Sequence, residues 1–226
     1  MSKPSIRFLS IDIVRIIAII FMVIFHLIYD LHLFNFKFIP RSFSPFWIYF
    51  PRLIVFLFLL AVGMSIGVST KSPSFVNYIK SQKKLFAACL IVSLTTYFVF
   101  PSRWIYFGTL HCIFACKVLL FPLRRLKYLS LLLFLVIQIP IWAFEFKYPW
   151  FTLPHQSMDY IPVFPWISVC FLGIFLAKTQ LVTKGLADLK LPDVLQLTTK
   201  NSLEIYLIHQ PVLYALVWML HHIKSS

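Results

Sequence analysis

The sequence predicts an all-α membrane protein: a polytopic helical bundle of about seven transmembrane helices, N-terminus inside and C-terminus outside. Three observations predict it. Hydrophobic residues fill 60% of the 226 positions and charged residues only 12%, too little polar surface to wrap a water-soluble core of this size. The mean hydropathy is +0.86. The apolar residues gather in runs of the length a bilayer requires, about 20 residues in helical form, with the basic residues in the strips between.

In order, the runs read as spans near 8–32, 46–69, 84–101, 104–121, 128–146, 160–180 and 201–221. The first is too long for the core of a cleavable leader. It carries Asp12, Arg15 and His26, has no small-residue cleavage site after it, and is expected to remain as a span. Between the fifth and sixth spans, Phe146 to Asp159 is rich in Pro, Trp and Tyr, which places Tyr148-Pro149-Trp150 at headgroup level. No internal repeat, low-complexity tract or long linker interrupts the chain, so residues 1–226 read as one domain. Phe supplies 25 residues and Gly 5, which predicts packing through bulky aromatic ridges rather than small-residue contacts.

The formal net charge of +14 would fit nucleic acid only on a basic, water-exposed face. The basic residues instead follow topology. Lys3, Arg7, Lys71, Lys80, Lys83, Lys84, Arg124, Arg125, Lys127, Lys178, Lys184, Lys190 and Lys200 fall in the connections assigned to the inside. Lys37, Arg41, Arg103, Lys147 and Lys224 fall outside. That bias fits seven spans and an inner N-terminus. Cys89, Cys112, Cys116 and Cys170 all lie inside apolar runs and read as apolar filler. His111-Cys112 with Cys116 is a poor match to a zinc site, so no metal is expected.

The first span carries what an apolar helix should exclude: Asp12, Arg15, His26 and Asp30. At 100° per residue their directions fall within about 60° of one another, so they share one face. His26 and Asp30 lie about 16 to 27 Å along the axis from Arg15 and Asp12. One reading is two local pairs, Asp12–Arg15 at i,i+3 and His26–Asp30 at i,i+4. The other makes His26 a general base, its tautomer held by the Asp30 carboxylate.

Ser10-Ile11-Asp12-x-x-Arg15, an apolar run, then Phe25-His26-x-x-Tyr29-Asp30 resembles the opening of the heparan-α-glucosaminide N-acetyltransferase catalytic domain. It is also similar to the wider transmembrane acyltransferase superfamily, whose first helix carries an Arg-x10-His pattern met here by Arg15 and His26. Three further stretches resemble the same family in the same order: Phe107-Gly108-Thr109-Leu110-His111, Asp159-Tyr160-x-Pro162-x-x-Pro165-Trp166, and Asn201-Ser202-Leu203-x-x-Tyr206-Leu207-x-His209-Gln210-Pro211.

The resemblance implies an enzyme of the bacterial inner membrane that moves an acetyl or other acyl group from cytosolic acyl-CoA to an outward acceptor, an amino or hydroxyl group of a sugar. It implies His26, Asp30 and His111 as catalytic, with His32 the alternative to His26. Asp12, Arg15 and Lys117 would attend the CoA, although Lys117 can equally snorkel. Arg52, Asp159, Trp166, Ser202, Tyr206 and His209 would meet the acceptor. Arg52 is at a depth to pair with Asp30 or Asp159. Asp159 can shape the acceptor mouth or cap the sixth span. Ser202 and Tyr206 can serve as interhelical hydrogen-bonders. The implied partners are lipid, acyl-CoA and a sugar-like acceptor, with no nucleic acid and a homo-oligomer left open. Two other readings use the same residues. His26, His111 and His209 come from different spans and could ligate a haem, or the ionisable seam could serve a proton-coupled transporter, against which the lack of an inverted repeat counts.

Overall fold

Apolar surroundings offer the backbone no water, so a chain of this composition closes its hydrogen bonds inside helices. The computed structural model describes residues 9–36, 44–69, 73–179, 182 and 192–225. Among these residues the regular structure is entirely helical: α1 (Leu9–Leu33), α2 (Ser44–Gly67), α3 (Phe75–Ser81), α4 (Lys83–Val99), α5 (Thr109–Leu120), α6 (Lys127–Phe144), α7 (Val163–Ala177), α8 (Asp193–Lys200) and α9 (Ser202–Ser225). Lys3, Arg7, Lys37, Arg41, Lys71, Lys184 and Lys190, part of the basic pattern used for orientation, lie outside the described residues.

Among the described residues, four stretches are long and apolar enough to cross a bilayer: Leu9–Leu33, Pro45–Gly67, Lys127–Phe144 and Ser202–Lys224. The protein is therefore a helical membrane protein. Helices α5 and α7 are apolar but shorter, 12 and 15 residues, or about 18 and 22 Å. The runs expected at 104–121 and 160–180 are thus only partly helical. Residues 101–108 form turns and bends, Gly108 takes the N-cap position of α5, and Pro122, which lacks an N–H, follows its end. Pro162 stands at the N-cap of α7. Helix α1 stops where Asn35 turns to φ 63°, a conformation that Asn tolerates, and the Phe36 N–H closes back on the Leu31 carbonyl at 2.8 Å.

The chain divides into two compact units, Asp12–Phe58 with Leu191–Ser226, and Met1–Ile11 with Leu59–Lys190. In the first, aromatic rings cluster against one another. Phe25 lies against Phe46, Trp47 and Phe50 at 6.0 to 6.3 Å between ring centroids, and Phe46 stacks on Phe50 at 5.0 Å.

The second unit also contains close contacts at small residues. A Cβ on Gly63 would collide with the Cys170 backbone, and one on Gly173 would fall against the Leu60 carbonyl and the Met64 nitrogen, 2.8 Å from the latter. A Cβ on Gly67 would sit 2.6 Å from the Ala177 Cβ. Helices α2 and α7 therefore touch backbone to backbone, through glycines one helical turn apart on α2. Few glycines suffice because they are concentrated on one contact. Helices α6 and α7 are joined by a polar bridge: Gln138 Nε2 donates to Ser168 Oγ at 2.7 Å, and the Ser168 hydroxyl donates to the Pro165 carbonyl at 2.7 Å. The four cysteines are buried as free thiols, and Cys170 donates to the Leu59 carbonyl at 3.2 Å.

Gly173→Ala should lower stability by about 1–3 kcal/mol, because the added methyl meets backbone that cannot swing aside. Thermal unfolding in detergent measures this, with Phe98→Ala as control at a site 78% exposed. An unshifted midpoint for Gly173→Ala would contradict the close approach.

Candidate active site

The stripe on α1 lies in the unit built from Asp12–Phe58 and Leu191–Ser226. Asp12 and Asp30 are buried, Arg15 and His26 half-buried. Arg15 Nη1 approaches Asp12 Oδ1 at 3.5 Å, and the Arg15 side chain keeps 25% of its surface open, so the i,i+3 ion pair forms as read.

The expected His26–Asp30 pair does not form. His26 Nδ1 instead donates to the carbonyl of Met22, one turn earlier, at 3.2 Å. Asp30, with 0% exposure, accepts through Oδ1 from Gln210 Nε2 of α9 at 2.9 Å. Shared direction on a helix is not contact. The imidazole finds an acceptor in its own backbone, while the carboxyl is taken by a donor on another helix.

Helix α9 brings His209 to His26, ring centroids 4.8 Å apart and planes at 79°. His209 Nδ1 donates to the Tyr206 carbonyl at 2.7 Å, and its buried Nε2 has no partner. Both rings thus use Nδ1–H on a carbonyl, which leaves the lone pair on each Nε2. Two neutral imidazoles in edge contact can accept a proton. They leave no layer between them for a porphyrin, so the haem reading cannot use this pair as its two axial ligands.

Tyr206 lies edge-on to Phe58 at 6.1 Å and to His209 at 5.6 Å, and Ser202 is half-buried at the start of α9. Arg52 is exposed, its guanidinium 5.9 Å from the Tyr49 ring centroid. It does not bond Asp30, whose enclosed carboxyl is reached by the Gln210 amide. His32, the alternative to His26, lies beside Trp47 at 5.5 Å.

A second cluster forms within the other unit, around the start of α5. Asp159 accepts the Thr109 N–H at 2.7 Å and the Thr109 hydroxyl at 3.2 Å. It caps α5, not the sixth predicted span that it precedes, where Pro162 is the N-cap. Gly108 makes the approach possible, since a Cβ there would collide with the carboxylate. Burial pushes the Asp159 carboxyl above its ordinary range, and the two Thr109 bonds partly offset this.

His111 is occupied on both sides. Its Nδ1 accepts the Gly108 N–H at 3.2 Å, so Nε2 carries the proton and donates to Ser93 Oγ at 3.0 Å. Ser93 in turn donates to the Ile105 carbonyl at 2.8 Å. Around this cap, residues 100–108 and 145–162 lace together. Met158 N–H bonds Arg103 O at 2.9 Å, Ile161 N–H bonds Phe107 O at 3.1 Å, and His155 stacks on Trp104 at 5.5 Å. Trp166 is half-buried in the first turn of α7 and Lys117 half-buried on α5.

Sequence reasoning missed Gln210 as the partner of Asp30, although a lone amide inside an apolar helix is itself a signal. It also missed Met22 and Tyr206 as carbonyl acceptors, for which side-chain identity carries no signal. Among the described residues, no group of three or more His, Cys, Asp and Glu side chains is arranged to hold a metal ion.

Comparison with protein families matches residues 7–211 to the family described as heparan-alpha-glucosaminide N-acetyltransferase, catalytic. No curated protein and no solved structure matches the chain.

Asp159→Ala should cost about 1–2 kcal/mol, because it strips the α5 N-terminus of its cap. Asp159→Asn should behave differently. A raised carboxyl pKa means that ionisation opposes folding once the pH exceeds the unfolded value of about 3.9, and this cost grows until the pH passes the folded value. Asn keeps an acceptor for Thr109 without a charge, so its midpoint should gain on wild type as the pH rises from about 4 to 7. Thermal melts at the two pH values test this; a gain confined to acid would be the wrong sign.

Proposed function

The chain belongs to the heparan-alpha-glucosaminide N-acetyltransferase catalytic family, and from that premise we propose that it transfers an acetyl or other acyl group from acyl-CoA to an acceptor across or within the membrane. The family supports a membrane acetyltransferase; the chemistry assigned to individual residues is this proposal's own. The observation that carries it is the contact of His26 Nδ1 with the Met22 carbonyl. With Nδ1–H committed to the Met22 carbonyl, Nε2 is the basic nitrogen, and it lies in a half-buried setting on a polar stripe.

In the proposed reaction His26 Nε2 takes the proton from the acceptor as its nitrogen or oxygen bonds the acyl carbon. The carbon–sulfur bond of the thioester breaks, and CoA leaves as a thiolate that recovers the proton from the imidazolium. His209, in edge contact with His26, restricts the ring. The stripe's Arg15, oriented by Asp12, is the proposed cation for the CoA phosphates. For the acceptor, an amino or hydroxyl group of a sugar, the proposal assigns Arg52, Ser202, Tyr206 and His209, which share a unit with His26. His111, with both nitrogens engaged, serves by holding the segment that leads into α5.

The topology that accompanies this reading has seven spans, the N-terminus in and the C-terminus out, in a single transferase domain of a bacterial inner membrane. The basic residues of the turn after α5 and of the start of α6, Arg124, Arg125 and Lys127, support an inner location for that turn.

Purified protein incubated with radiolabelled acetyl-CoA and a panel of amino sugars tests the reaction. Acceptor-dependent release of CoA is expected, and absence of CoA binding would sink the enzyme reading. His26→Ala should reduce acceptor-dependent release by about 10²–10⁴-fold, the usual weight of a general base, with the protein still folded by its thermal transition. Wild-type turnover in that variant would remove His26 from the chemistry.

A further inference from the structure

The Asp30–Gln210 contact leaves two orphaned atoms, and they belong to the same pair. Gln210 Nε2 donates to Asp30 Oδ1 at 2.9 Å. The other oxygen of each group, Asp30 Oδ2 and Gln210 Oε1, is buried with no hydrogen-bond partner. If Asp30 is ionised, both atoms are acceptors and neither can satisfy the other. A full negative charge would then sit at 0% exposure on one neutral hydrogen bond, and the cation on this stripe, Arg15, is bonded to Asp12. Turning the Gln210 amide over gives no relief, because Oε1 would then face Oδ1, acceptor against acceptor.

One proton resolves both vacancies. We propose that Asp30 carries its proton and closes a carboxylic acid–amide pair with Gln210: Nε2–H donates to Oδ1, and Oδ2–H donates to Oε1. The two groups then satisfy each other with no charge in the apolar interior. The pair bridges α1 and α9 next to His209 and immediately before Pro211. Proline lacks the N–H that would bond the Leu207 carbonyl and weakens α9 at this turn, so a side-chain tie to α1 steadies the helix where it carries His209 against His26. Asp30 becomes a positioning residue, and the negative charge expected to back His26 is absent in the resting protein.

The inference is independent of the transfer reading and is tested on the resting protein in detergent, without donor or acceptor. Infrared difference spectra of wild type minus Asp30→Asn at about pH 7 should contain the C=O stretch of a protonated carboxylic acid, sensitive to deuterium exchange. An ionised Asp30 gives carboxylate bands instead and overturns the proposal. Asn can reproduce the closed pair with its own amide, so Asp30→Asn should unfold within about 2 °C of wild type while Asp30→Leu unfolds well below it. Equal losses in both variants would overturn the closed pair. Gln210→Leu, which removes the acceptor of the acid proton, should shift the acid band upward, and an unmoved band would show that the proton is not shared with Gln210. A protein with the acid band intact but no acyl transfer would sink the function proposed above and leave this pair standing.

Discussion

A polar atom inside an apolar helix bundle has no water to fall back on, and the cost of leaving it unpaired exceeds what a typical hydrogen bond contributes. The protein answers with the acceptors most abundant in a helix, its own carbonyls. His26 turns to Met22, His209 to Tyr206, Thr96 to Val92 and Ser130 to Leu126, each within about one turn. Such bonds need no partner helix and no charge. They also decide chemistry, because an imidazole that spends Nδ1–H on its own backbone presents Nε2 as a base. The tautomer of the proposed catalytic residue is thus a by-product of satisfying the helix interior.

Where two helices must be held together, the device changes. Gln138 to Ser168 to the Pro165 carbonyl joins α6 to α7 with one hydrogen bond donated at each step. Asp159 reaches across 50 positions to accept the Thr109 N–H, a side-chain capping bond that the N-cap residue Gly108 cannot make. Gln210 and Asp30 tie α9 to α1. In each case a side chain with more than one bonding site sits where apolar packing alone would permit rotation or sliding. The loops after α4 and α6 extend this pattern, backbone bonded to backbone and ring stacked on ring.

The helical class was legible because hydropathy and charge patterning report directly on the solvent a segment meets. The Asp12–Arg15 pair was legible for a related reason, since i,i+3 spacing brings those groups within reach without help from another helix. His26–Asp30 at i,i+4 failed because spacing gives proximity of Cβ atoms and says nothing of competing partners. Met22 O and Gln210 Nε2 were the better ones. Asp159 as the cap of α5 could not be read, because its partner is remote in sequence and depends on Gly108 having no side chain. The starts of α5 and α7 were blurred because apolar sequence begins at residues 104–108 and 160–162, before the helical backbone does.

Gly63 and Gly173 carry a consequence for how this sequence can vary. At most buried positions a side chain can be trimmed or enlarged, and the two directions leave different scars, a cavity or a clash. At a backbone-to-backbone contact there is nothing left to trim. Every substitution adds atoms, so the tolerated alphabet has a single letter, and loss of that letter cannot be repaired by a neighbour growing smaller when that neighbour is main chain. The α2–α7 seam is therefore the least negotiable part of a chain otherwise built from interchangeable apolar residues.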